Sequence, residues 1–319
     1  MTAPQGPCCT PGRTVVSTAS LETAPSSTTR SDTGPDRSAM VKLPGGTFRM
    51  GYEGPLANAA DGEGPVREVA VSPFWLDAAA VSNAQFAAFV AETDYVTEAE
   101  RFGWSFVFGG FVPPDAAARV TQRVAGAEWW WVVEGACWKA PEGPGSQIAG
   151  RDDYPAVHVS WNDALAYCAW AGKRLPTEAE WEFAARGGLD GAIYPWGDTL
   201  TPDSRWRCNI WQGEFPMLNT LEDGFVGTAP VRSFEPNAYG LFQVSGNVWE
   251  WVADYWTTTH ASGALRDPRG PGEGRDRVRR GGSYLCHATY CNRYRVAARD
   301  HSHPQDATGN IGFRCAADA

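Results

Sequence analysis

Apolar side chains recur at helical spacing in three stretches of this chain, and each stretch follows a capping signal. Ser82-x-x-Gln85 reads as a capping box ahead of Phe86, Phe89 and Val90, which share one helical face. Ser160-x-x-Asp163 precedes Leu165, Tyr167, Cys168 and Trp170, with Gly172 closing the segment. Thr177-x-x-Glu180 opens a third helix through Trp181 and Phe183, which Gly187-Gly188 stops. Near Met40-Val41-Lys42-Leu43 a short strand meets a turn at Pro44-Gly45-Gly46. Beyond the third helix the pattern predicts only brief strands and long loops. No internal repeat stands out apart from Trp-Glu-aromatic echoes at 181–183 and 249–251. Periodicity alone leaves the fold of such a low-helix, loop-rich chain ambiguous.

Composition narrows the picture. The 319 residues show no linker in their middle, so a single large domain over 39–319 is expected. Residues 1–38 are rich in Ser, Thr, Pro and Gly and read as a disordered tail. Hydrophobic residues at 43% and aromatics at 12% allow a sizeable core. With 15 Trp, 35 Gly and 23 Pro, that core is expected to be irregular and held by large aromatic anchors. A net charge of -10 and a pI near 5.0 argue against nucleic acid or an anionic membrane as partner. Arg279-Arg280 is only a dipeptide of like charge. No apolar run approaches the roughly 20 residues of a membrane span. The N-terminus lacks the basic-then-apolar order of a signal peptide, so a cytoplasmic location is expected. In a reducing cytosol most of the 8 Cys should then be buried thiols.

Two of those thiols point to chemistry. Cys286 and Cys291 are too far apart for a Cys-x-x-Cys zinc knuckle. On a regular strand they would face opposite ways, so they must sit on a turn or an irregular loop to meet. A thiolate pair without obvious further ligands suits a soft, low-coordinate metal such as Cu(I), or a redox-active disulfide. His301 and His303 could complete a Cys2His2 zinc set, although their spacing is not the usual one. Plain structural or inert cysteines are the remaining reading.

The segment around them carries a family resemblance. Cys286-His287-Ala288-Thr289-Tyr290-Cys291-Asn292-Arg293-Tyr294-Arg295 follows Arg280-Gly281-Gly282-Ser283 and precedes Gly312-Phe313-Arg314-Cys315. Together with 45–51, 97–103, 158–164, 173–182, 209–213 and 246–251, it resembles the formylglycine-generating enzymes, the sulfatase-modifying oxidases. The resemblance runs from about Met40 to the C-terminus, and only the Cys286/Cys291 segment is specific to the oxidase. It implies an α+β fold: an irregular, loop-rich single domain, related to C-type lectins, with low regular secondary structure.

It also implies a mechanism. Cu(I) is held by the thiolates of Cys286 and Cys291, the thiolate of a substrate cysteine is the third ligand, and O2 is the oxidant. Loss of hydrogen from the substrate Cβ gives a thioaldehyde that hydrolyses to formylglycine. Ser283 and Tyr290 are implied as hydrogen-bond donors near the oxygen site, Trp249 as an apolar wall that could equally be plain core, and Arg293 as a positioning residue. Ser105, Trp129 and Trp130 fall where the family lines its peptide groove. The implied partner is an unfolded sulfatase polypeptide or a Cys-x-Pro-x-Arg peptide, taken by a monomer. A structural Ca2+ is implied at Asn209, Ile210, Asp223 and Phe225, on oxygen ligands that suit a hard cation. A second maps to Gln243, Gly246, Val248 and Glu250, with Gln243 where the family usually has Asn. Cys168 and Cys315 match a bridged pair of secreted relatives and should lie close together. A second such bridge is missing on both sides, with Ala185 and Val296 in its places. Cys137 and Cys208 have no assigned role.

Three features depart from the family or add to it. Trp104 replaces an acidic residue of some relatives, so recognition of the substrate's Arg is expected to differ. The loop Asp300-His301-Ser302-His303-Pro304-Gln305-Asp306 departs from the usual wording. In the tail, Cys9-Thr10-Pro11-Gly12-Arg13 itself spells the Cys-x-Pro-x-Arg pattern, as an autosubstrate, a pseudosubstrate or a chance match in an extension. Two rival functions remain at this stage. An iron-dependent sulfoxide synthase would want a further His-rich helical domain, and this chain has 5 His. A lectin-like binding module would have no need of the Cys286/Cys291 pair.

Overall fold

The computed structural model describes residues 11–13 and 35–319, so Cys9, Thr10 and most of the expected tail lie outside the described residues. The three helices legible in the sequence are present as α1 (Asn83–Thr93), α4 (Trp161–Trp170) and α5 (Glu178–Arg186). Each carries its reciprocal capping box. The N-cap hydroxyl accepts the N3 amide, and the N3 side chain accepts the N-cap amide. Between them lie α2 (Glu98–Phe102) and the single turn α3 (Pro114–Ala117). The short α2 was equally readable, because Thr97-x-x-Glu100 forms the same box.

Everything else is brief strands. Strands β1 (Met40–Leu43), β4 (Phe74–Asp77) and β15 (Ala316–Asp318) form an antiparallel sheet with β4 in its centre. Strands β2 (Gly46–Met50), β3 (Arg67–Val71) and β11 (Leu265–Arg266) make a second, in the order β11-β3-β2. A third joins β5 (Trp104–Phe108), β7 (Ala127–Glu134) and β6 (Arg123–Val124). Strands β8 (Gly213–Glu214) and β9 (Leu218–Asn219) form a small hairpin. The central sheet runs β13-β12-β10-β14, from β10 (Trp249–Tyr255), β12 (Arg277–Arg280), β13 (Arg299–Ser302) and β14 (Ile311–Phe313). Among the described residues no helix is long and apolar enough to cross a membrane. The fold is α+β and loop-rich, as the family resemblance implies.

Aromatic anchors fill the largest core cluster. Phe86 and Phe89 of α1, Tyr167 and Trp170 of α4, and Trp249 and Trp251 of β10 are all buried in it. A second cluster packs α5 against β2, β3 and β4 through Trp181, Phe183, Phe48 and Phe74.

Charge is buried as well, and in pairs. Arg279 and Arg280, read from sequence only as a like-charged dipeptide, are both fully interior. Arg280 donates to Glu178 at 2.7 Å and to Glu182 at 2.5 Å, Arg186 reaches Glu182 at 2.6 Å, and Arg299 reaches Glu178 at 2.5 Å. Burial alone would raise the Glu178 carboxyl, but the guanidinium groups of Arg299 and Arg280 outweigh it and hold it down at about 2. A carboxyl depressed in the folded state contributes stability that is present above its ordinary value of about 4.5. That stability is lost as pH falls from about 4.5 through about 2. Melting curves across this window should therefore show an acid slope in the wild type that is shallower in Glu178→Gln. Equal slopes would remove Glu178 from the account.

Candidate active site

Cys286 and Cys291 lie in the loop that leaves β12 and returns toward β13. Its neck is pinched at Gly282, whose φ is +73°, and a Cβ there would stand 2.8 Å from the Arg293 carbonyl oxygen and 2.9 Å from the Tyr294 Cα. Only glycine allows that closure. Within the loop the chain turns tightly. The His287 carbonyl accepts the amides of Tyr290 (3.1 Å), Cys291 (3.0 Å) and Asn292 (3.0 Å). The Cys286 amide donates to the Ser283 carbonyl at 2.9 Å, and the Ser283 amide donates to the Cys286 Sγ at 3.4 Å. The spacing of five is thus resolved by a turn. Cys286 is buried and Cys291 half-buried, and both pack into the cluster that holds Trp249 and Tyr294. The Tyr294 hydroxyl is pushed up by burial first and then by neighbours that include both thiols.

The residues implied by resemblance fall around this turn. Ser283 is wholly buried, and its hydroxyl accepts Asn310 Nδ2 at 2.9 Å and the Leu285 amide at 3.3 Å. Trp249 is fully buried in β10, its amide bonded to the Asn310 carbonyl at 2.9 Å, and its indole N–H has no partner among the described residues. The Tyr290 ring stacks on Phe215 at 4.4 Å and meets the edge of Trp129 at 5.1 Å. Arg293 is held by Asp61 at 2.6 and 3.0 Å, and Arg295 by the buried Glu63 at 2.6 Å on both nitrogens. Asn310, Asp61 and Glu63 were missed from sequence. Polar residues set in otherwise apolar or glycine-rich segments were the available signal.

Ser105, Trp129 and Trp130 are not brought together. Neighbours on a strand face opposite ways. Trp129 accordingly stands beside Tyr290 while Trp130 is interior, at 1% exposure. Ser105 is wholly buried, with its hydroxyl 2.8 Å from the Ala307 carbonyl and 2.7 Å from His158 Nδ1. Burial is the main reason His158 is pushed down to about 4 and stays neutral. Ser105 and Trp130 therefore support the wall from behind, and only Trp129 presents a face. A cleft of about 610 Å3 at Trp138, Glu142, Arg151 and Tyr284 contains neither Cys286 nor Cys291.

The residues of the first cation set lie close together. Asp223 accepts the Ile210 amide at 3.0 Å, Gln212 Nε2 at 2.8 Å and the Phe225 amide at 3.0 Å. Asn209 joins them, its amide bonded to Asn247 Oδ1 at 3.1 Å. Burial pushes the Asp223 carboxyl up, and its partners among the described residues are amides. A buried carboxylate on oxygen-rich, irregular backbone suits a hard cation. The same segment reaches the thiol loop, because the Trp211 amide donates to the Cys286 carbonyl at 3.0 Å.

The second set does not fit. Gln243 Oε1 is buried without a partner among the described residues, beside Gly246 and Val248. Glu250, however, is already engaged by Arg314 at 2.7 Å on each oxygen and by Trp181 Nε1 at 2.7 Å. Its charge is neutralised by the buried guanidinium and three of its roughly four lone-pair sites are taken.

The zinc alternative is not formed either. Among the described residues no three or more His, Cys, Asp or Glu side chains gather as a metal set, and His301 stacks on Trp256 at 4.3 Å. The Cys168 and Cys315 sulfurs stand 3.5 Å apart, within hydrogen-bond reach but without a disulfide. Ala185 and Val296 share one core cluster. Cys137 and Cys208 are buried thiols, both raised chiefly by burial.

Comparison with known proteins places this geometry. A family model described as "Sulfatase-modifying factor enzyme 1-like domain" matches residues 25–319. The "Formylglycine-generating enzyme" of Thermomonospora curvata is 62% identical over 283 residues, covering 88% of this chain and 93% of that protein. The chain belongs to the formylglycine-generating enzyme family. Family identity does not by itself secure chemistry. An "Inactive C-alpha-formylglycine-generating enzyme 2" of Bos taurus is 50% identical over 283 residues, covering 88% of each chain. Among solved structures, PvdO from Pseudomonas aeruginosa shares the fold at a TM-score of 0.64 and 25% identity, covering 88% of this chain and 94% of that one.

Proposed function

We propose that this formylglycine-generating enzyme family member oxidises the cysteine of Cys-x-Pro-x-Arg segments in sulfatase polypeptides to formylglycine. The proposal includes O2 as oxidant and one Cu(I) held by Cys286 and Cys291. The single observation that carries it is the pair of thiols set in one turn, with no group of three or more His, Cys, Asp or Glu side chains gathered around them among the described residues. Two soft donors select a soft monovalent ion over Zn2+ or a hard cation. Bound copper would supply the one-electron chemistry that O2 requires.

The chain's own groups do the rest. The Trp249 indole and the Tyr294 ring keep bulk water from Cys286. Asn310 fixes the Ser283 hydroxyl, and the Phe215 and Trp129 rings fix that of Tyr290, so both polar groups are oriented before substrate arrives. Trp129 offers the peptide an aromatic face. Titration of the purified protein with Cu(I), followed by mass analysis of a Cys-x-Pro-x-Arg peptide, tests this reading. One equivalent of copper and loss of the thiol to an aldehyde are expected, and a peptide left unchanged under O2 would end it.

Asn209, Ile210, Asp223 and Phe225 are proposed to hold a structural Ca2+. A cation bound to the native state alone adds about 2.7 kcal/mol at a hundredfold excess over its Kd. Chelation should lower the wild-type Tm and scarcely move Asp223→Ala. An equal fall in both proteins would count against the site.

A further inference from the structure

Trp104 and the 300–306 loop meet at one side chain, and that side chain comes from the tail. Arg13 is 6% exposed, although it lies far outside the domain in sequence. Its Nη1 donates to the Gln305 carbonyl at 2.6 Å and its Nη2 to the Trp104 carbonyl at 2.7 Å. The guanidinium plane lies over Phe102 at 4.4 Å and over Trp104 at 4.6 Å from the ring centroids. The Arg13 amide donates to Asp306 Oδ1 at 2.6 Å. Asp306 is itself buried and also accepts the His303 amide at 3.0 Å. An ideal Cβ on Gly12 would stand 3.0 Å from Asp306 Oδ2, so the backbone runs closely along that carboxylate.

This is a built pocket. Two aromatic faces, two carbonyls and a carboxylate recognise a planar cation and the amide that carries it. Lysine would lose both the stacking and the fork.

We infer that the pocket formed by Phe102, Trp104, Gln305 and Asp306 is a binding site for an arginine on an extended segment, and that its resident occupant is this chain's own Pro11-Gly12-Arg13. The inference rests on the proposed substrate pattern, because Arg13 is the arginine of Cys9-Thr10-Pro11-Gly12-Arg13. A peptide of the same pattern competes with the tail for one pocket. The tail has the advantage of being part of the same chain, so its effective concentration at the pocket exceeds that of a free peptide. An occupied site lowers the apparent affinity for an incoming ligand by the fraction left open.

The test uses the full chain, its Arg13→Ala variant and a fluorescent Ser-Thr-Pro-Gly-Arg peptide, in which serine prevents turnover. Anisotropy should show the peptide binding Arg13→Ala at least about tenfold more tightly than wild type, as expected if the tail holds the pocket nine-tenths of the time. A Ser-Thr-Pro-Gly-Ala peptide should bind neither protein. Turnover of the cysteine peptide should show a KM lowered in Arg13→Ala with kcat unchanged. Equal peptide affinities for the two proteins overturn the inference, as does equal binding of the alanine-ended peptide. If the enzymatic reading alone is wrong, no aldehyde forms on any peptide while the anisotropy difference persists.

Discussion

Cys286→Ser and Cys291→Ser should each abolish formylglycine production and reduce bound copper from one equivalent to near none. Each variant leaves a single soft donor where two are needed, and a hydroxyl is a poor ligand for Cu(I). Changes to groups that merely orient metal ligands already cost about 10–100-fold, so loss of a ligand should exceed a hundredfold. The burial of the two thiols differs, and the variants should differ with it. Cys286 is interior and gives its sulfur to the Ser283 amide, so its loss also loosens the neck of the loop. Cys291 is half-buried, and its replacement should leave Tm nearly unchanged. Cys168→Ala serves as the control for losing a thiol elsewhere in the core. Substantial activity in either Ser variant removes the two-thiolate site.

Arg295→Ala should be the most damaging single change to stability among the loop residues. Its guanidinium makes two 2.6 Å bonds to Glu63, and the side chains are 2% and 0% exposed. Removing it strands a carboxylate in the interior, which costs about 3–5 kcal/mol. At roughly 2–4 °C per kcal/mol for a large domain, Tm should fall by about 6–20 °C. Replacing both partners with apolar residues, Arg295→Met with Glu63→Leu, should restore most of that loss, because the ion pair itself contributes little net stability. A single variant that melts within about 2 °C of wild type would show that water reaches Glu63. Because the pair anchors the thiol loop, copper affinity should fall together with Tm in the single variant.

Legibility from sequence followed the range of the interaction. Helices α1, α4 and α5 were readable because a capping box is written within four residues. The turn at Cys286 and Cys291 was readable as a necessity, since nothing straighter could bring them together. The partners of that turn were not. Asn310 reaches Ser283 across 27 residues and Asp61 reaches Arg293 across 232, and no local pattern encodes such pairings. The burial of Arg279-Arg280 was illegible for the same reason, because the carboxylates that allow it are distant in sequence. Trp129 and Trp130 are consecutive on β7, so the alternation of the strand sends them to opposite faces, half-buried and interior. The glutamate of the second cation set, Glu250, was matched by position, but a match of position carries no information about Arg314.

The place of β4 between β1 and β15 bears on how the molecule is made. Strand β4 is in hand once about a quarter of the chain has left the ribosome, yet Ala316–Asp318 must emerge before its second edge is covered. Arg314, which neutralises Glu250, arrives in the same late stretch. Until then the nascent protein carries an open strand edge and an unpaired acid in its interior, both of which invite capture by other chains. Ribosome-stalled chains halted before Arg314 should therefore be bound by chaperones and cut by proteases that ignore chains in which Arg314–Asp318 have emerged and paired.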